Sequence, residues 1–187
     1  MALRFVTDSR AAPVKPSDHP DFYRLPPPPG RSRESGIVLD REGRFWNGSD
    51  LLARPAMATA FASWIATHPD DGRFILTNGY DWTYFRVDDV PFFVRAVKVE
   101  GARVLLDLSD GTEEPLDPAT VSVGAGDALY ARVKAGRFEA RFFPAAQLSL
   151  EPVVVEDERG APCLDIGGSR HAVGPRRDGS PEKSKGF

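Results

Sequence analysis

The stretch Tyr84-Phe-Arg-Val-Asp-Asp-Val-Pro-Phe-Phe-Val-Arg-Ala-Val-Lys-Val99 is an apolar run broken at its middle by two aspartates and a proline. Val, Phe and Tyr at this density favour strand, and Pro91 cannot donate to a ladder. The run therefore reads as two strands, with Asp88 and Asp89 where the first stops or bends. Neighbouring strand residues face opposite sides, so the two carboxylates cannot converge as a general acid and base. Asp89 is read as the residue that pins the corner, either by accepting backbone amides or by pairing with an arginine such as Arg54.

On the C-terminal side of this corner the period-two pattern continues. Val104, Leu106 and Leu108 alternate with Arg103 and Asp107, and a hairpin runs from Leu129 to Phe143 across Ala135-Gly136. Its Phe138, Ala140 and Phe142 alternate with Arg137, Glu139 and Arg141, and further strands are expected at Val153 to Val155, Cys163 to Ile166 and Ser169 to Val173. On the N-terminal side, Phe74-Ile-Leu76 precedes the strand from Trp82. The folded body opens near Gly36 with a hairpin that turns at Asp40-Arg-Glu-Gly43. Between them lies one principal helix, with Pro55 in its first turn, Met57, Phe61, Trp64 and Ile65 along one face, and a stop at His68-Pro-Asp-Asp-Gly72. That face is read as core contact against a sheet. The fold class expected is α+β, mainly antiparallel sheet with one principal helix.

Four regions follow. Residues 1–34 carry Pro13, Pro16, Pro20 and Pro26 to Pro29 and read as a mostly extended leader, a stiff spacer or a ligand for aromatic-lined grooves. Residues 35–92 form an N-terminal α+β half and 93–173 a β-rich half, while 174–187 have the composition of a disordered tail.

Composition narrows the function classes. With 24 Lys and Arg against 27 Asp and Glu, spread along the chain, there is no basic footprint for nucleic acid or an anionic membrane surface. The single cysteine, Cys163, excludes an internal disulfide and a cysteine-built zinc site, and reads as a small buried hydrophobe. The N-terminus lacks a signal peptide's apolar core and no run is long enough to span a bilayer, so a cytoplasmic protein is expected. His19, His68 and His171 are not at metal-ligand spacing, and Ser63, Ser109 and Cys163 lack the surroundings of a nucleophile. No catalytic residue, metal or cofactor is expected.

The candidate ligand-binding residues are Arg54, Thr77, Asn78, Tyr80, Trp82, Asp89, Gly167 and Gly168. Arg54 stands at a helix start, where the dipole disfavours a cation, and so asks for a partner: Asp89, Asp40 or a bound anion. Tyr80 and Trp82 offer stacking faces, although aromatics in strands ordinarily pack as core or cross-strand pairs. Gly167-Gly168, followed by Ser169-Arg170-His171, holds consecutive amides beside a cation, the ingredients of an anion nest or simply of a turn.

Several segments taken in order carry a family resemblance: Asp40-Arg-Glu-Gly-Arg-Phe-Trp-Asn-Gly, Leu52-Ala-Arg-Pro, Phe61-Ala-Ser-Trp-Ile, Asp71-Gly-Arg-Phe-Ile-Leu-Thr, Val87-Asp-Asp-Val-Pro-Phe, Tyr130-Ala-Arg-Val-Lys-Ala-Gly-Arg-Phe-Glu-Ala-Arg and Leu164-Asp-Ile-Gly-Gly. From about Gly36 to Val173 the chain resembles the bacterial domain-of-unknown-function family 1285. The resemblance implies a duplicated α+β core, a C-terminal half superficially like a pleckstrin-homology domain, and a cleft between halves that takes a nucleotide-like small molecule in a signalling role. Two short echoes accord with duplication: Tyr84-Phe-Arg-Val with Tyr130-Ala-Arg-Val, and Leu106-Asp-Leu-Ser-Asp-Gly with Leu164-Asp-Ile-Gly-Gly. The chain departs from the family at Thr77 to Trp82, which replaces Thr-Pro-Val-Glu with one residue more, and at Leu108 to Gly111. A cleft shaped by those turns would offer its ligand different donors here. The function expected is recognition of a small ligand or a partner, with a small enzyme or a structural interaction protein as the alternatives.

Overall fold

A computed structural model of the chain describes residues 14–177; the rest of the leader, 1–13, and of the tail, 178–187, lie outside the described residues. The first hairpin forms because Asp40 organises its own turn. One carboxylate oxygen accepts the amides of Glu42 at 3.0 Å and Arg44 at 2.8 Å, and Gly43 supplies the left-handed conformation at φ 77°. This joins β1 (Glu34–Leu39) to β2 (Phe45–Asn47), and β3 (Asp50–Leu51) adds a third strand. Helix α1 (Pro55–Ser63) then leads to a second meander, β4 (Ile65–Thr67), β5 (Phe74–Thr77) and β6 (Trp82–Val87). Strand β6 lies parallel to β1, with Leu39 opposite Val87, and the sheet order is β3-β2-β1-β6-β5-β4.

After the Asp88 to Pro91 corner the plan repeats. Strands β7 (Phe92–Glu100), β8 (Arg103–Leu108) and β9 (Glu113–Pro115) form a meander; a 3-10 turn at Pro118–Thr120 connects it to β10 (Ser122–Val123), β11 (Leu129–Val133) and β12 (Phe138–Phe142). Strand β12 lies parallel to β7, pairing Ala140 with Phe92 and Phe142 with Val94. In both sheets the first strand of the first meander lies beside the last strand of the second. A short helix α2 (Pro144–Leu148) follows, then a small antiparallel sheet of β13 (Val154–Glu156), β14 (Pro162–Ile166) and β15 (Ser169–Ala172). Finally β16 (Gly174–Pro175) runs parallel to β10.

Four differences separate the structure from the sequence reading. The sheets are mixed, because each closes through a parallel pair between strands distant in sequence. There are two helices among the described residues, and α1 stops at Ser63: the Trp64 amide closes onto the carbonyls of Ala60 and Phe61, and β-branched Ile65 pairs with Leu76 in β4. Met57, expected on the buried face, is 37 % exposed, as is the whole first turn of α1, Pro55 to Met57. The leader is not an extended spacer throughout: Pro16–Asp18 and Phe22–Arg24 are 3-10 turns.

A single large core unites both sheets, with Leu39 and Phe45 from the first meeting Phe92, Phe93 and Phe142 from the second. A smaller cluster of Phe22, Ile75 and Trp82 explains the folded leader. The outer face of β5 and β6 is apolar and needs cover, which Phe22 supplies; Ser17 donates its amide to the Gly79 carbonyl at 3.0 Å, and Arg24 forks onto exposed Asp70 at 3.0 and 2.7 Å. Phe22→Ala is expected to lower stability by about 3 kcal/mol, the usual cost of truncating a buried phenylalanine, with Trp82 becoming solvent-accessible to fluorescence quenching. Arg24→Ala should leave the denaturation midpoint unmoved, as exposed ion pairs contribute little. An unchanged midpoint for Phe22→Ala would show that the leader does not cover the sheet.

Candidate functional site

The corner between the sheets sends its two carboxylates apart, as alternation requires. Asp88 faces outward and accepts Arg86 Nε at 2.9 Å, whereas Asp89 turns inward with 11 % of its side chain exposed. Its Oδ2 accepts the Tyr130 hydroxyl of β11 at 2.9 Å, and its Oδ1 accepts Arg176 Nη1 at 2.8 Å. The same guanidinium donates to Glu139 of β12 through Nε at 3.2 Å and Nη2 at 2.7 Å, and stands 3.8 Å above the Tyr130 ring. Arg176 reaches this position because β16 pairs with β10 and the Arg176 amide donates to the Val123 carbonyl at 2.7 Å. Arg141 adds a longer contact to Asp89 Oδ2 at 3.6 Å and donates to the Arg41 carbonyl at 3.2 Å.

Electrostatics follow from this geometry. Burial disfavours a charged Arg176, but the hydrogen bonds and charges of Glu139 and Asp89 outweigh it and raise its proton affinity above that of an ordinary arginine. Burial, and then donation to Asp89, push the Tyr130 phenol above its usual range. Asp40 behaves oppositely: burial raises it, yet the hydrogen bonds from the Arg44 amide, the Trp46 indole and the Arg44 guanidinium hold it below the usual carboxylate range.

Beside the corner, between the β1–β2 turn and the second sheet, lies a cleft of two lobes. One, of about 240 Å³, is mainly apolar, with Leu39, Phe45, Pro55, Phe93 and Phe143 in its walls and Arg44, Arg95 and Ser109 as polar lining. The other, of about 530 Å³, is polar and holds Arg41, Asp89, Tyr130, Arg141 and Arg176. Glu42 lines both. The apolar lobe depends on glycine at 43: a Cβ there would sit 3.1 Å from the rings of both Phe93 and Phe143, which stack at 5.3 Å.

Of the residues singled out in the sequence, only Asp89 lies in this cleft. Its arginine partner is Arg176, with Arg141 behind, rather than Arg54, which is exposed at the start of α1 and makes no ion pair among the described residues. Thr77 and Asn78 are consumed by their own turn, the Thr77 hydroxyl donating to the Asp81 carbonyl and Asn78 Oδ1 accepting the amides of Tyr80 and Asp81. Tyr80 is 62 % exposed, whereas Trp82 is buried under the leader with Arg33 4.4 Å above its ring. Gly167 and Gly168 turn the chain between β14 and β15, and a Cβ on Gly167 would meet Ala102 at 2.8 Å. They serve a close chain crossing away from the cleft.

The residues missed are Arg41, Tyr130, Glu139, Arg141 and above all Arg176. Alternation along β12 placed Glu139 and Arg141 opposite the apolar face, which was a usable signal. Nothing local marked Arg176, whose neighbours Gly174, Pro175 and Arg177 have the composition of a tail; the described part of that tail, residues 174–177, is instead a paired strand and its anchor.

No family model matches the sequence, and no curated protein matches it. Two crystal structures do resemble it. A DUF1285 family protein from Silicibacter pomeroyi DSS-3 superposes with TM-score 0.61 at 21 % identity, over 75 % of this chain and 80 % of that one. The chain has the fold of DUF1285 family proteins. A second such protein, from Shewanella baltica OS155, superposes with TM-score 0.52 at 16 % identity, over 65 % of this chain and 94 % of its own. Among the described residues of this DUF1285-like fold, no helix is long and apolar enough to cross a membrane, and no group of three His, Cys, Asp or Glu side chains is arranged to hold a metal ion.

Arg176→Ala leaves two largely buried carboxylates without their shared cation and is expected to cost about 3 kcal/mol in urea denaturation. Tyr130→Phe should cost about 1 kcal/mol at neutral pH. Because the folded-state phenol is raised, its contribution is complete below the unfolded value near pH 10 and is lost as pH rises through the folded one. Between about pH 9 and 11 the wild-type midpoint should therefore fall further than that of Tyr130→Phe; parallel curves would contradict the Tyr130 to Asp89 bond.

Proposed function

We propose that the chain is a DUF1285 family member that acts as a recognition module, binding a nucleotide-like small molecule in the two-lobed cleft and reporting it in a regulatory pathway. The observation that carries this reading is the junction of an apolar lobe and an arginine-bearing lobe at Glu42. A ligand with a planar apolar body and an anionic group matches both at once. Concave, mainly apolar pockets with a few convergent polar groups are the usual form of a small-molecule site. Arg41 makes no ion pair among the described residues, and Arg141 only the long one to Asp89, which leaves both with donors for an anion. Turnover has less support: of the two hydroxyl residues in the apolar lobe, Thr59 and Ser109, the latter accepts the Phe93 amide at 3.2 Å, and neither has a basic side-chain hydrogen-bond partner among the described residues.

We also read the core as duplicated. The support is the shared plan of the two sheets, two meanders joined by a parallel pair, rather than the sequence echoes. Tyr84 lies in β6 and Tyr130 in β11, which are not equivalent under that plan, and Leu164 lies in β14, outside both sheets. The pleckstrin-homology likeness of the C-terminal half has as its support six successive strands of one sheet, β7 to β12, followed by one short helix.

A thermal-shift screen of nucleotides tests the ligand class. A nucleotide at a hundred times its Kd should stabilise the fold by about 2.7 kcal/mol. Arg41→Ala and Arg141→Ala should weaken it roughly tenfold, the loss of one charge-assisted hydrogen bond. Absence of any shift at millimolar nucleotide would overturn the proposal.

A further inference from the structure

A second pocket adjoins the polar lobe across Asp89, where the edge of the first sheet meets the β11–β12 hairpin. Its cavity volume is about 300 Å³, and it opens to solvent. Its floor is apolar: Val90 and Phe138 are buried, and Phe74 lies half-buried beside Phe138 at a ring separation of 6.5 Å. Above this floor the lining is strongly cationic, with Arg73, Arg132, Arg137 and Arg177 contributed by the β4–β5 turn, β11, the β11–β12 turn and the chain beyond β16.

The charges in this pocket do not cancel. Both carboxylates in its wall, Asp89 and Glu139, are already engaged by Arg176. Arg132 stands opposite Glu139 in the ladder, the natural cross-strand pair, yet makes no ion pair among the described residues because Glu139 turns to Arg176 instead. Arg137 donates its Nε to the Lys134 carbonyl at 3.1 Å and holds its guanidinium 5.7 Å from the Phe138 ring centre, with no carboxylate partner among the described residues. Arg73 is bidentate on Glu34. Arg132, Arg137 and Arg177 are exposed and have no carboxylate partner among the described residues, so they present free donors over an apolar floor.

From this we infer that the pocket bounded by Arg132, Arg137 and Phe138 is a second ligand site, one for a compact polyanion carrying phosphate groups. Guanidinium forks match phosphate oxygens in pairs, and Arg132 and Arg137 both belong to the β11–β12 hairpin that lines the pocket. A single carboxylate would leave one cation uncompensated, whereas a diphosphate group spans both. The diphosphate chemistry is shared by soluble metabolites and by some lipid headgroups. The walled pocket favours the soluble form, which enters whole.

Isothermal titration with inorganic pyrophosphate on the full chain tests this site apart from the cleft. Wild type should bind one pyrophosphate, more weakly as salt rises. Arg132→Glu/Arg137→Glu should abolish binding, and Arg132→Gln/Arg137→Gln, which removes the charge without reversing it, should weaken it at least tenfold with the far-ultraviolet circular dichroism unchanged. Arg159→Ala, an exposed arginine that lines neither the cleft nor this pocket, should leave the pyrophosphate affinity within twofold of wild type, and the nucleotide screen reads the cleft by itself, so failure there and failure here are separate results. The inference is overturned by absence of binding at low salt, by undiminished binding in the folded glutamine variant, or by retention only on phosphatidylcholine vesicles doped with a diphosphate-headgroup lipid, with no response to free pyrophosphate.

Discussion

One guanidinium holds the two halves and the end of the chain together. Arg176 bonds Asp89 at the corner between the sheets and Glu139 on β12, while its backbone extends the second sheet beyond β10. The planar fork suits this work, because its donors point in fixed directions and meet two carboxylates without rearrangement. Lysine would offer a point charge on a flexible stem. Two carboxylates at the inner side of a corner would otherwise repel one another in a poorly hydrated setting, so the corner is tenable only with this cation in place.

The join between the sheets is correspondingly short. Four residues, Asp88 to Pro91, separate β6 from β7, and Val90 and Pro91 are buried within them. Each sheet hides its own parallel pair at the centre, so β6 and β7 both belong to sheet interiors rather than edges. A corner that connects two interior strands cannot swing freely. The lobes beside it inherit this fixed geometry, since Asp89 lines the polar lobe and Pro91 the apolar one.

How much of this could be read from the residues depends on distance along the chain. The strands of both halves were visible because alternation is a local signal, as in Val104, Leu106 and Leu108. The parallel centres were not, since β1 with β6 and β7 with β12 are paired by the whole fold. Helix α2 spans only Pro144–Leu148, too few residues for a periodic stripe. The folded leader had a hint: Phe74-Ile-Leu76 is apolar on consecutive positions, which means a strand covered on both faces, and Phe22 supplies the second cover. Asp89 was singled out correctly as a residue needing a partner. Its partner lay where composition looked least structured, and the helix dipole at the start of α1 had pointed to Arg54 instead.

The Asp89 to Arg176 bond links residues 87 positions apart. Closing a loop of that length costs about 4 kcal/mol of chain entropy beyond a constant. During synthesis the first sheet and the corner emerge long before residue 176, so a nascent chain carries Asp89 and then Glu139 without their cation. The polar lobe is thus closed only after every other strand of both sheets has been made. A chain stopped before residue 174 would hold most of the core yet lack the cation shared by Asp89 and Glu139.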